Sequence, residues 1–220
     1  MPGWINCDVH PAPNVDAAFD VEKTWPFASS TVSDIYASHL LEHLADYGAF
    51  FGEAWRVLQP NGTLTLRVPY GGHKAAWWDL THVRPWFAES FCALQPGYSE
   101  AIGNPQTASW RAFFGVQVDL RVSGKFARLL RWRAFRRWFC AFADHIPNAI
   151  EELYAYCYAL KEPEAVAVYG REHPGHCIGC RLVIYRHHMT GDGYTPRPLA
   201  EALLPLADLD LVNGFHAWHW

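Results

Sequence analysis

The chain has 220 residues, half of them apolar and 15% aromatic, with a formal net charge of -4. That composition suits one domain with its own core, alone or with an elaborate subdomain, and argues against a disordered chain or a general polyanion binder. No uninterrupted run of about 18 apolar residues occurs, so no membrane span is expected, and the N-terminus lacks the basic-then-apolar pattern of a secretory leader. Six cysteines spread between Cys7 and Cys180 read as reduced thiols, which points to a cytoplasmic location.

Residues 4–9 read as a short strand whose end carries Asp8, before the turn formers His10-Pro11-Ala12-Pro13. Residues 15–19 read as a second strand, ending at Asp20. Residues 33–38 fit a buried third strand. A helix is expected over 40–58, with Leu41, Leu44, Phe50, Phe51, Ala54, Val57 and Leu58 as its apolar stripe, stopped by Pro60-Asn61-Gly62. Residues 63–68 alternate as a strand ended by Pro69. Residues 71–105 are irregular and aromatic. Beyond them come a strand at 116–122, a helix at 124–143, and a second helix at 148–160 capped by Asn148 with Glu151 at its third position. Residues 181–185 are strand-like, 191–198 form a turn-rich linker, and the tail 199–220 is apolar.

Strand, strand, strand, helix, turn, strand is the pattern of a doubly wound α/β sheet, in which ligands sit at the carboxyl ends of the strands. Asp8, Asp20, Ser38-His39 and Pro69-Tyr70 all fall at such ends.

The stretches GWINCDVHP (3–11), DAAFDVEKTWPF (16–27), SDIYASHLLEHL (33–44), EAWRVLQPNGTLTLRVP (53–69) and DLTHVRPWF (79–87) together resemble the class I S-adenosylmethionine-dependent methyltransferases of the type 11 kind. The resemblance implies a Rossmann-like fold with S-adenosylmethionine as cofactor. It implies that Asp8 bonds the ribose hydroxyls, that Asp20 reaches the adenine amine, and that Ser38 and His39 lie beside the methionine part. Glu42, one helical turn on, is either part of that loop's support or simply favoured by the helix dipole. The family's first strand and glycine-rich turn are expected just before Gly3, where only Met1 and Pro2 stand. Three explanations stay open: a true start further upstream, a C-terminal element filling the gap, or a degenerate relative without catalysis.

Asp79, His82 and Arg84 lie among Trp77, Trp78, Trp86 and Phe87, in the region where the family contacts its acceptor. His82 is the candidate general base, oriented by Asp79, and Arg84 with Tyr70 would hold the acceptor. The alternative is that His82 and Asp79 only tie down a loop. His173, His176, Cys177 and Cys180 offer zinc-ligand types, with Cys177 and Cys180 as the candidate pair; a turn carrying structural thiols is the alternative. Residues 121–137 hold seven of the eighteen Lys and Arg and no acid, interleaved with aromatics. A solvated basic helix or a lid over an anionic substrate fits better than a nucleic-acid surface, since the whole chain is acidic.

The expected fold class is α/β: a Rossmann-like methyltransferase core over 1–122, incomplete at its N-terminus, with an α-rich or mixed C-terminal elaboration over 123–220. The expected function is methyl transfer from S-adenosylmethionine to an oxygen or nitrogen of a small molecule or glycan. The alternative is a non-catalytic scaffold on the same fold, with a protein partner on the aromatic and basic C-terminal region.

Overall fold

The computed structural model describes residues 4–96, 98, 112–122, 126, 139, 146–172, 179–185 and 203–204. Among the described residues the strands are β1 (Cys7–Asp8), β2 (Ala17–Ala18), β3 (Val32–Ser38), β4 (Leu58–Pro69), β5 (Phe114–Val122), β6 (Ile150–Ala159), β7 (Gly179–Tyr185) and β8 (Leu203–Leu204). β1 and β2 pair in parallel as a two-stranded sheet of their own. The other six form one sheet in the order β3-β4-β6-β5-β7-β8. β3 runs parallel to β4, β6 is antiparallel to both β4 and β5, and β5 is parallel to β7. The carboxyl ends of β3, β4 and β5 and the start of β6 therefore share one edge. The molecule is a mixed α/β protein, as its sequence pattern implies, and the sheet draws strands from both sides of residue 122.

The helix expected over 40–58 is interrupted. Leu41–His43 forms a single 3-10 turn, Leu44 is extended, and the helix proper, α1 (Tyr47–Val57), starts after Asp46. The Asp46 carboxylate accepts from the Ala49 amide at 2.9 Å and satisfies one of the free amides of the first turn. Phe50, Phe51, Ala54 and Val57 are the buried stripe of α1. Restarting the helix at Asp46 leaves Glu42 and His43 on a separate turn at the end of β3.

The turn at Pro60-Asn61-Gly62 lies within the early part of β4. Asn61 adopts a left-handed conformation (φ 60°), and a Cβ on Gly62 would sit 2.9 Å from the carbonyl oxygens of both Gln59 and Ser33. Gly62→Ala is therefore expected to destabilise the protein by more than about 1 kcal/mol, because backbone rather than a movable side chain blocks the methyl. Chemical denaturation of the variant checks this; an unchanged midpoint would contradict it.

The helix expected over 148–160 is a strand. Asn148 is left-handed (φ 56°) and its side chain accepts from the Lys74 amide at 2.8 Å, so it ends a loop and caps no helix. The following residues form β6, with Leu153, Ala155, Cys157 and Ala159 buried. A segment between two strands is apolar on both faces, and its periodicity reads equally as helix until its neighbours are known. Tyr154, Tyr156 and Tyr158 supply the aromatic content that a pleated surface accommodates.

The core gathers α1 against the sheet: Phe50, Phe51, Leu64, Leu66, Trp86, Phe91, Phe114, Leu153 and Ala155 belong to one cluster. A second short helix, α2 (Ala75–Trp78), and a 3-10 helix, Ala88–Leu94, follow β4. A third helix, α3 (Pro163–Glu172), is tied to β5 by the Tyr169 hydroxyl, which accepts from the Val116 amide at 2.9 Å. Of the helix expected over 124–143, only Phe126 and Phe139 are described, with rings 5.5 Å apart. Among the described residues no helix is long and apolar enough to cross a membrane.

Candidate functional site

At the carboxyl edge of the sheet a chain of charges crosses four strands. Glu152, near the start of β6, receives hydrogen bonds from Arg67 of β4 and from Arg121 of β5, the latter at 2.7 Å. His39, just after β3, places Nε2 3.6 Å from Glu152 and Nδ1 3.1 Å from Glu42. Arg67 is only 4% exposed and Glu42 1%. Burial would raise the Glu152 carboxyl, but hydrogen bonds from His39 and Arg67 and the charges of Arg67 and Arg121 outweigh it and hold it far below the usual carboxylate range. The same contacts act in reverse on His39. Hydrogen bonding to Glu152 and then to Glu42 pushes its imidazole up to about 9, against the effect of burial. His39 is thus a cation at neutral pH, held in a left-handed backbone position (φ 51°) with its amide on the Arg67 carbonyl at 2.8 Å.

The other residues expected to face the cofactor sit as follows. Asp8 ends β1, is exposed, and accepts from the His10 amide at 2.9 Å. Asp20 accepts from the Glu22 amide at 3.0 Å and pairs with Lys23 at 3.0 Å. The Glu22 amide first, then the Lys23 ammonium, hold its carboxyl below the ordinary value. Ser38 ends β3, and its buried Oγ has no hydrogen-bond partner. An orphaned hydroxyl at a strand's carboxyl end calls for an explanation, and a polar ligand atom would satisfy it.

On the acceptor side, α2 leads to a loop carrying Asp79, Thr81, His82 and Arg84. His82 Nδ1 lies 3.2 Å from the Ala76 carbonyl, which can only accept, so Nδ1 carries a proton and, in the neutral ring, Nε2 keeps the lone pair. Nε2 is 3.9 Å from Asp79 Oδ2. Asp79 Oδ1 is occupied by the Thr81 hydroxyl at 2.7 Å and the Thr81 amide at 2.9 Å, and these bonds hold the Asp79 carboxyl below its ordinary value. The His82 ring is therefore oriented chiefly by a backbone carbonyl, with Asp79 as a nearby charge. The Arg84 guanidinium lies 4.4 Å from the Trp86 ring centre and 4.8 Å from that of Tyr47. Tyr70 is buried and packs on Phe87, with ring centres 5.6 Å apart. Trp77, Trp78, Leu80 and Val83 are all largely exposed around this loop.

A family model described as "Methyltransferase domain" matches residues 8–66. That stretch is similar to the methyltransferase domain family. It begins at Asp8 and takes in Asp20, Ser38, His39 and Glu42, with β1 to β3, α1 and most of β4. No curated protein sequence matches the chain. Among solved structures, the chain is similar to one described as a methyltransferase from Bacillus halodurans C-125, at 14% identity and TM-score 0.34 over 66% of this chain and 71% of that one. It is also similar to a SAM-dependent methyltransferase from Archaeoglobus fulgidus, at 11% identity and TM-score 0.42 over 66% and 67%. A third is a Haemonchus contortus phosphoethanolamine N-methyltransferase in complex with S-adenosyl-L-methionine, at 11% identity and TM-score 0.37 over 68% and 38%.

Asp79, His82 and Arg84 lie downstream of residues 8–66, and the fold brings them to that stretch: the Val83 amide donates to the Glu42 carbonyl at 2.7 Å. Cys177 lies outside the described residues, and Cys180 stands on β7. Sequence reasoning missed Arg67, Arg121 and Glu152. One signal was present: an arginine inside the alternating strand TLTLRVP needs a buried acid, and Glu151-Glu152 is the acidic pair at the start of β6.

Proposed function

We propose that this chain binds S-adenosylmethionine along the ends of β1, β2 and β3 and transfers its methyl group to an oxygen or nitrogen of a small molecule or glycan. The observation that supports this most is the methyltransferase-family match over residues 8–66, which spans the three strand ends. The residues present suit that ligand: Asp8 offers an exposed carboxylate for vicinal hydroxyls, and the unpartnered Ser38 Oγ awaits a polar atom. When bound, the cofactor supplies an activated methyl on a sulfonium, whose S–C bond breaks as the O–C or N–C bond forms.

The chain's own contribution is placement. His82 Nε2 holds the lone pair that takes the acceptor's proton, and the Arg84 guanidinium, close to the Tyr47 and Trp86 rings, presents N–H groups to an anionic or hydroxylated acceptor. The exposed Trp77, Trp78, Leu80 and Val83 favour a second reading, an interaction subunit on the same fold whose partner covers them.

Calorimetric titration with S-adenosylmethionine and S-adenosylhomocysteine tests the proposal. Micromolar binding is expected, weakened at least about tenfold in Asp8→Ala, which removes a charged acceptor from two hydroxyls. A folded sample giving no heat up to millimolar ligand would sink the enzyme reading and favour the interaction subunit.

A further inference from the structure

We infer that Glu42, His43 and His82 form a binding site for a divalent first-row transition-metal ion. One ligand atom from each of the three lies within 4.8 Å of the others. Bonds of about 2.0–2.2 Å to nitrogen and carboxylate oxygen put neighbouring ligands roughly 3 to 3.6 Å apart, so small side-chain movements close the triad on an ion.

Two further features point to a cation. Both imidazoles are set by hydrogen bonds at Nδ1. His43 Nδ1 lies 3.3 Å from the Thr81 carbonyl and 3.0 Å from the Thr81 hydroxyl, which itself donates to Asp79 at 2.7 Å. His82 Nδ1 faces the Ala76 carbonyl at 3.2 Å. A carbonyl can only accept, so each ring carries a proton on Nδ1, and the neutral form of each has its lone pair on Nε2. Such outer bonds fix the tautomer of metal-ligating histidines. The two rings stand 4.8 Å apart, edge to face.

The second feature is Glu42. It is 1% exposed; Oε1 is 3.1 Å from His39, and Oε2 is buried with no hydrogen-bond partner. A buried carboxylate oxygen without a partner is costly, and a cation relieves that cost. Asp79 Oδ2, 3.9 Å from His82 Nε2, stands close enough to complete or polarise the shell. His43 is exposed, which leaves an entry path and open coordination positions.

Two imidazoles and one carboxylate are the donor set of zinc, iron, cobalt or manganese, and are poor ligands for calcium. The place of this ion beside the acceptor rests on the methyl-transfer reading, but its binding does not. With the ion present His82 is a ligand, and the ion, not the imidazole, acidifies an oxygen bound at an open position.

The test is calorimetric titration of the full chain with zinc chloride, in a Cys177→Ser/Cys180→Ser background so that those thiols contribute nothing. One ion per chain with micromolar or tighter affinity is expected. Affinity should fall at least about tenfold in His82→Ala and in Glu42→Gln. Zinc should also raise the melting temperature of the parent but not of these variants. Should Glu42→Gln fail to fold, His43→Ala, at an exposed position, makes the same test. Cobalt(II) serves as a spectroscopic probe, giving ligand-field bands without thiolate charge transfer.

No zinc binding at millimolar concentration, or binding unchanged in His82→Ala and His43→Ala, would overturn the proposal and leave Glu42 as an orphan satisfied by water. Zinc binding with no response to S-adenosylhomocysteine would keep the metal site and remove the methyltransferase reading.

Discussion

Glu152→Ala is expected to destabilise the protein by about 3–5 kcal/mol. The substitution removes the one carboxylate that receives both Arg67 and Arg121 and stands beside His39. Arg67 is almost fully buried, so bulk water cannot replace the Glu152 carboxylate when it goes. The attraction between the charges matters less here than the cost of taking a carboxylate away from a desolvated guanidinium. A double variant, Arg67→Met/Glu152→Leu, should recover part of the loss, because it removes the most buried cation together with the carboxylate, while Arg121 keeps Glu151 nearby at 3.8 Å and His39 keeps Glu42. Urea unfolding of the three proteins checks the argument, and a loss below about 1 kcal/mol in Glu152→Ala would refute it.

The same carboxylate carries a pH dependence. Its folded-state pKa lies far below that of an unfolded glutamate, about 4.3, because the surrounding cations stabilise the charged form. The unfolded chain therefore binds more protons in the interval between the two values, and stability rises with pH there. The contribution of Glu152 is complete above about pH 4.3 and is lost as the pH falls toward the folded value. Glu152→Gln should flatten the acid limb of a stability profile. An acid limb identical to that of the parent would mean that other carboxylates govern acid unfolding.

Phe51→Ala is the second large effect, expected at about 3–5 kcal/mol. Phe51 is 2% exposed, and its ring meets those of Phe50, Trp86 and Phe114 at centroid distances of 5.4, 6.4 and 6.3 Å. These partners come from α1 itself, from the segment after α2 and from β5. Truncation at this point opens a cavity where three parts of the chain converge, and rigid strands on one side prevent its collapse. Phe51→Leu, which keeps most of the volume, should cost less than half as much. Thermal and denaturant unfolding of both variants tests the ranking, and equal losses would contradict the cavity argument.

Much of the segment over residues 8–66 was legible from local pattern. The alternation of residues 63–68 marked β4, and Phe50, Phe51, Ala54 and Val57 marked the inner face of α1; Asp8 and Ser38 fall at strand ends, while Asp20 lies two residues beyond β2. These features depend on the period of side chains along one element, which a sequence displays directly. The interruption of the predicted helix at Asp46 was less visible, since Leu41 and Leu44 fit the helical stripe and are buried without belonging to the helix.

Tertiary structure decided the rest. Residues 150–159 satisfy a helical period, yet they lie between β4 and β5 as a strand, because ladder bonds to both neighbours outweigh local preference. The Arg67–Glu152–His39 network joins positions that no motif links; each is an ordinary charged residue until the sheet order places β6 beside β4. The Glu42, His43 and His82 cluster is of the same kind, since Thr81 reaches His43 across 38 positions of sequence. Sequence by itself thus determined the elements whose side-chain period is unambiguous, such as β4 and the inner face of α1. Only the pairing of distant strands and loops decided which charges are buried together, because burial and electrostatic partnership are properties of three-dimensional neighbours, not of spacing along the chain.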